Sequence, residues 1–191
     1  MFMRFSRFLT VYLLCFVTAS LYSQMTPSAP IKNFRLPRFG DNGYTQWMLL
    51  GEQGIYDRDE QLSVQEMAMR IYSGDQRMAL ELSMDSPQGT LLLQENRGHS
   101  ESPITIVGAN FKISGIGWEW SGDTKEIIVK QDAVVKFTQG IAGAFGDIGE
   151  TNTDGDLSDT EIHSDHLILR TTVEEYYFEF TGNVHAVSDQ M

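Results

Sequence analysis

The stretch that comes closest to a known binding motif is ETNTDGDLSDTE, near the C-terminal end of the chain. It follows the calcium-loop pattern D-x-[DN]-x-[DN]-G-x₅-E, in which oxygen ligands at fixed positions surround one Ca²⁺. The four side chains at ligand positions are Glu150, Asn152, Asp154 and Glu161. Glutamate stands where the motif begins with Asp, and neither flank has the helical pattern of a helix–loop–helix site. We interpret the segment as an acidic, solvated connection, with a calcium-binding module as the alternative.

A second group of chemically capable side chains overlaps the end of this motif. It consists of Glu161, His163, Asp165 and His166. On a strand, residues 163 and 165 face one way and 166 the other, so the four cannot surround one metal ion. His99 and His185 have no partner that the sequence can identify. There is no nucleophile elbow, phosphate loop or paired-carboxylate pattern, so we predict a protein that is not an enzyme and rank an exported hydrolase last.

A third group is aromatic, and its members occupy alternating positions in short apolar segments. They are Phe111, Trp118, Trp120, Phe137, Tyr176, Phe178 and Phe180. Such side chains can simply fill the core of a β-sandwich. They can equally line an open β-roll that holds an apolar ligand between its sheets.

These residues lie in segments with the two-residue period of strands. Met78 to Met84, Ile116 to Trp120 and Tyr176 to Phe180 alternate in this way, and turns separate them. The spacing predicts an all-β sandwich, roll or barrel of antiparallel strands. Residues 64–72 fit helical spacing as well as a strand with a bulge, and the neighbouring strands favour the bulged strand.

The first 23 residues have the layout of an export signal. Arg4 and Arg7 precede an apolar run from Phe8 to Tyr22, which holds the only cysteine, Cys15. As a helix this run would cover about 22 Å of a hydrocarbon core about 30 Å thick. A cleaved signal peptide is therefore favoured over a membrane anchor. Residues 24–43 contain three of the five prolines and are predicted to be a linker.

The charge of the chain argues against nucleic acid as a partner. The leader holds two Arg and no acid, so the remainder has 12 basic and 26 acidic residues and a net charge of −14. Such a surface repels DNA, RNA and anionic membranes at long range. Lys32, Arg35 and Arg38 form the one local basic cluster of the linker, which we interpret as solvated.

Two stretches are similar to each other and to a known family. FKISGIGWEWSGDTKEIIVKQDAVVKF and TEIHSDHLILRTTVEEYYFEFTGNVHAV each contain a strand, a turn and a second strand with a DAV or GNV element. They resemble the OstA-like repeats of LptC and LptA, the periplasmic lipopolysaccharide-transport family. LLGEQGIYDRDEQLSV followed by ISGIGWEW is closest to LptC, and the last stretch is more similar to LptA. The acidic segment has no counterpart, which leaves open whether both stretches belong to one roll.

The resemblance implies a β-jellyroll whose apolar interior holds lipid A acyl chains while the sugar stays outside. It also implies partners: lipopolysaccharide, other β-jellyrolls that dock edge to edge, and an inner-membrane transporter complex. We expect an LptC-like roll over 44–139, an acidic connection over 140–160 and an OstA-like unit over 161–191, with the protein periplasmic or tethered to the inner membrane. The expected lipid-contacting residues are Phe111, Trp118, Trp120, Phe137, Phe178 and Phe180.

Overall fold

The computed structural model describes residues 29–56, 61–138, 160–172 and 175–188. Throughout these ranges the chain is all-β, and every paired strand is antiparallel. They contain no helix that is long and apolar enough to cross a membrane. The predicted leader and nearly all of the predicted acidic connection lie outside the described residues.

Eleven strands form one open sheet, which confirms the predicted fold class. Their bounds are β1 Ile31–Phe39, β2 Thr45–Tyr56, β3 Gln61–Tyr72, β4 Leu80–Leu92, β5 Arg97–Val107, β6 Phe111–Ser121, β7 Glu126–Phe137, β8 Thr160–Ser164, β9 His166–Thr171, β10 Tyr176–Thr181 and β11 His185–Ser188. The first seven pair in chain order as a meander. The second part of β7 then pairs with β8 and its first part with β9, while β11 extends β8 and β10 extends β9.

A line of irregularities crosses the sheet and folds it in two. The register shifts between β4 and β5 beyond Asp85, between β5 and β6 beyond Ser100, and between β6 and β7 beyond Ser114. Bulges bend strands and increase their twist. We call this the fold line. It separates the sheet into two halves. Half I contains the first parts of β2, β4 and β6, together with β8 and β11. Half II contains the second parts of β2, β4 and β6, together with β9 and β10.

Side-chain contacts show that the two halves face each other. Trp47 of half I meets Trp120 of half II edge-on, with ring centroids 5.7 Å apart. The hydroxyl of Tyr176 on β10 donates to the carbonyl oxygen of Glu81 on β4, at 3.3 Å. Neither pair belongs to neighbouring strands, so the sheet must curl over on itself. The result is a roll with one continuous apolar core.

Strand β3 settles the ambiguity between helix and strand. Leu62 and Val64 point into the core in one phase, and Met67 and Met69 do so in the other. The phase changes at Glu66, where φ is 48°. A strand that changes phase by one residue has the same apolar spacing as a short helix, which explains why the sequence fits both. The prediction of a strand is confirmed, but the predicted bulge is not found at the phase change, because the register with β2 and β4 continues unchanged past Glu66.

The predicted linker is wrong for residues 31–39, because these form β1, which pairs with β2 from Thr45 to Gly54. Pro37 lies within the strand, and prolines are tolerated at an edge where no neighbour needs the missing N–H. Phe34 packs against the core over Gly51 and Gly54. A Cβ at either glycine would lie within 2.8 Å of its ring. Proline content indicated a linker, whereas the structure uses the same residues as an edge strand.

The terminal stretch does not form a separate roll. β8 and β9 both pair with β7, and the buried side chains Leu167 and Leu169 of β9 belong to the same core as the first seven strands. A Gly-Asn turn lies between β10 and β11, with Gly182 at φ 74° and Asn183 at φ 40°. The chain beyond the acidic connection therefore adds strands to both halves: β8 and β11 to half I, and β9 and β10 to half II.

Candidate functional site

The structure places the six predicted aromatic residues inside the roll. Phe111, Trp118, Trp120 and Phe137 are buried, and Phe178 and Phe180 are half-buried against the core. They do not form one surface. Trp118 lies near the fold line, Trp120 lies beside a cavity, and the four phenylalanines form a cluster beneath β10.

Trp118 is held in place by hydrogen bonds and close packing. Its indole Nε1 donates to Ser86 Oγ at 3.2 Å, and that hydroxyl donates to the carbonyl oxygen of Pro103 at 2.7 Å. A Cβ at Gly89 would lie 2.7 Å from Met67 Sδ and 3.0 Å from Trp118 Cζ2. The indole is fully buried and lies against Gly89 and Gly98, so in this conformation Trp118 is part of the wall of the roll.

The phenylalanine cluster fastens β10 onto the rest of the roll. Phe178 meets Phe111 at a centroid distance of 4.9 Å and Phe137 at 5.3 Å, both edge-on. It stacks with Phe180 at 6.3 Å, and Tyr176 meets Phe111 at 5.0 Å. Edge-on and offset pairs are the arrangements that aromatic quadrupoles favour. Burial raises the pKa of the Tyr176 hydroxyl, in keeping with its place between the halves.

A cavity of about 180 Å³ opens at one end of the roll, between half I and half II. Its apolar wall consists of Trp47, Ile71, Leu82, Trp120 and Ile127. Its polar rim includes Gln46, Ser73, Glu81, Asn96, Lys125 and Thr171. An apolar wall with a few polar groups at its mouth is the usual composition of a site for an amphiphilic ligand.

Asn96 fixes the geometry of this mouth. It is 6% exposed, and its Oδ1 accepts from Trp47 Nε1 at 2.9 Å while its Nδ2 donates to Asp123 Oδ1 at 2.7 Å. A Cβ at Gly122 would lie 2.4 Å from the Asn96 amide nitrogen, so only glycine leaves room for this amide. The hydrogen bond to Trp47 holds that indole edge-on to Trp120 and so sets the width of the cavity.

Two opposite charges stand at the rim. Burial raises the pKa of the Glu81 carboxyl, with a smaller contribution from Asp75, and Lys125 offsets part of the rise. Ionised Glu81 is thus held at a site that disfavours its charge. Such a group is a common feature of binding sites.

Four residues of the cavity wall were not among the predicted site residues: Trp47, Ile71, Leu82 and Ile127. Trp47 was detectable, because Thr45, Trp47 and Leu49 alternate as a strand does. Which strands meet across a curled sheet depends on register and on the fold line. The pairing of Trp47 with Trp120 therefore had no sequence signal.

The predicted calcium ligands Glu150, Asn152 and Asp154 lie outside the described residues. Glu161 lies on β8 and forms an ion pair with Lys136 of β7. The hydrogen bond from this lysine lowers the pKa of the Glu161 carboxyl. Because Lys136 binds Oε1 of this carboxylate, Glu161 does not offer both oxygens as the bidentate twelfth ligand of a calcium loop does.

The acidic and histidine side chains at the start of the terminal stretch have different partners. Asp165 accepts a hydrogen bond from Asn183 Nδ2 at 2.9 Å, away from Glu161. His163 instead has a partner that the sequence did not reveal. His185 of β11 lies directly opposite it, and the two rings stack at 4.8 Å with an interplanar angle of 5°.

A scan against protein-family models finds no model that matches this chain, and a search of curated proteins finds no significantly similar sequence.

Proposed function

We propose that this chain is a non-enzymatic periplasmic component of lipopolysaccharide export that binds lipid A acyl chains inside its β-roll. The observation that supports this most is the cavity of about 180 Å³ between the two halves, which opens to the surface beside a continuous apolar core. An acyl chain that enters there meets Trp47, Trp120 and Leu82.

Burial of acyl chains supplies the affinity. Each buried methylene contributes about 0.8 kcal/mol. The cavity is smaller than the roughly 300–1,000 Å³ of sites for drug-sized ligands. It therefore admits one segment of an acyl chain, and further chains require the halves to separate. The sheet is open, and in the described ranges β1 does not pair with β10 or β11, so separation on that side breaks no backbone hydrogen bonds.

The charge of the chain suits a carrier that holds a glycolipid by its tails. A net charge of −14 beyond the leader would repel the phosphates of an anionic glycolipid. The sugar and phosphates then remain in water outside the roll, where cations neutralise them. The leader in residues 1–23 would export the chain or tether it to the inner membrane.

The edge strands of the sheet are where neighbouring β-rolls and the inner-membrane transporter complex would dock. Within the described ranges, β1 pairs only with β2, β10 only with β9 and β11 only with β8. Ile31 and Phe39 on β1 and Val187 on β11 are exposed. Added strands would satisfy the unpaired backbone groups by β-augmentation.

Photo-crosslinking tests the lipid site. A photoreactive residue replaces Ile71, which lines the cavity, or Ile55, which is exposed on β2. After irradiation in cells that make lipopolysaccharide, a glycolipid adduct is expected on the position-71 variant and none on the position-55 control. Equal adducts at both positions, or no adduct on a folded position-71 variant, would count against the proposal.

A further inference from the structure

A group of side chains on the outer face of β8 and β11 has the composition of a transition-metal site. Ser164 is buried and Ile162 packs against the core, so the alternate residues Glu161 and His163 point outward. His185 lies opposite His163 in the register of β11. Two strands thus bring two imidazoles and one carboxylate to one place.

The distance between two of these side chains fits a pair of ligands on one ion. Glu161 Oε2 lies 3.4 Å from His163 Nε2. Zinc bonds of about 2.0–2.1 Å to nitrogen and oxygen in a tetrahedral geometry place two ligands about 3.3 Å apart. The carboxylate and the imidazole are therefore already spaced as two ligands of one ion.

His185, the third ligand, makes a hydrogen bond through its other ring nitrogen while it is stacked on His163. His185 Nδ1 lies 3.1 Å from the carbonyl oxygen of Asn183, which accepts if that nitrogen carries the proton. This leaves Nε2 with its lone pair free. Histidine ligands of metals commonly donate their other N–H to a backbone carbonyl in this way. Asn183 is itself anchored, because its Nδ2 donates to Asp165 Oδ2 at 2.9 Å.

We propose that Glu161, His163 and His185 bind one divalent transition ion, of which Zn²⁺ is the probe used below. The ion bridges β8 and β11. In the described part of the chain no three such side chains already surround a common point. Binding therefore requires the exposed His185 ring to turn out of its stack with His163, and its hydrogen bond to Asn183 must be remade in the new orientation.

The charged neighbours of the site set its strength. Lys136 of β7 binds the other carboxylate oxygen, Glu161 Oε1, so Oε2 remains available to the ion. Its positive charge opposes the cation and should keep the affinity moderate. Imidazole and carboxylate ligands favour Zn²⁺ over Ca²⁺, which prefers six to eight oxygens.

Calorimetry on the full chain, purified without a histidine tag, tests the site with ZnCl₂. One ion per chain is expected, and His163→Gln and His185→Gln should each weaken binding at least tenfold. His99→Gln and His166→Gln are matched controls, expected to bind within twofold of the wild type. Zinc binding that survives in both site variants, or that falls equally in the controls, would overturn the proposal.

A spectroscopic measurement tests the geometry independently of affinity. Co²⁺ in place of Zn²⁺ should give the intense visible absorption of a four-coordinate ion, and His185→Gln should abolish it while circular dichroism stays unchanged. The same weak absorption in both proteins would contradict a three-ligand site. The glycolipid adduct at position 71 is expected to survive His185→Gln, so either proposal can fail without the other.

Discussion

At the scale of single residues, Trp118 depends on one hydroxyl group. Ser86 Oγ accepts the indole N–H and lies in the core. We predict that Ser86→Ala lowers the free energy of unfolding by about 1–3 kcal/mol, because the buried N–H then has no acceptor. Urea unfolding measures the change.

Ser83→Ala on the same strand is the control, expected within about 0.5 kcal/mol of the wild type. Equal effects of the two substitutions would show that the hydroxyl of Ser86 is not what holds Trp118.

Glu81 should make stability depend on pH in a defined direction. Burial raises the pKa of its carboxyl above the ordinary value of 4.5. As the pH rises above 4.5, Glu81 loses its proton more easily in the unfolded chain than in the folded one. Its ionisation therefore lowers the free energy of unfolding. We predict that Glu81→Gln raises the melting temperature at pH 7.

Below about pH 4 both states hold the proton, and the same substitution should change little. Differential scanning calorimetry at the two pH values provides the comparison. If Glu81→Gln raised the melting temperature equally at both pH values, the charge of Glu81 would not be the cause.

Aromatic side chains were predictable at this scale because alternation marks one face of a strand. All six predicted residues lie inside the roll. The stack of His163 on His185 was not predictable, since 21 positions of sequence separate them and only the register of β8 with β11 brings them together.

At the scale of elements, Phe178 attaches β10. Its ring packs between Phe111 and Phe137. We predict that Phe178→Ala costs about 2–3 kcal/mol, less than for a fully buried phenylalanine because it is half-buried. In the Phe178→Ala variant, amide hydrogens should exchange faster in β9 and β10 than in β3.

Tyr177 is the neighbouring residue on the outer face and 52% exposed. Tyr177→Ala is expected to cost less than about 0.5 kcal/mol. A similar loss for both variants would mean that the cluster does not fasten the strand.

The fold line should tolerate no side chain at Gly115. A Cβ there would lie 2.3 Å from Val129 Cγ1 and 2.9 Å from the carbonyl oxygen of Gln131. Because backbone stands in the way, we predict that Gly115→Ala destabilises by about 1–3 kcal/mol. At Gly40 a Cβ meets only the ends of the Asn42 and Gln46 side chains, so Gly40→Ala should be nearly neutral. Thermal unfolding of the two variants and the wild type measures the difference.

Strands inside the sheet were easier to predict than its edge. β4, β6 and β10 alternate visibly, whereas β1 contains Pro37 and a basic cluster that are typical of linkers. An edge strand has one unpaired side and half as many partners, so its composition is less constrained. Composition alone could not distinguish β1 from a linker.

At the scale of the whole molecule, alternation predicted the fold class but not the closure. The fold line arises from shifts of one residue between neighbouring strands. Each shift is nearly silent in the sequence, yet together they decide that Trp47 meets Trp120 across the roll. The cavity is a product of that closure, which is why its wall could not be listed in advance.

The measurement that tests the lipid-binding role most directly uses the chain's own tryptophans. All three, Trp47, Trp118 and Trp120, are buried in the interior. Lipid A with brominated acyl chains should quench their fluorescence, because bromine quenches an indole only at close contact, whereas unbrominated lipid A should not. Unchanged fluorescence with brominated lipid bound at saturation would contradict an acyl chain inside the roll.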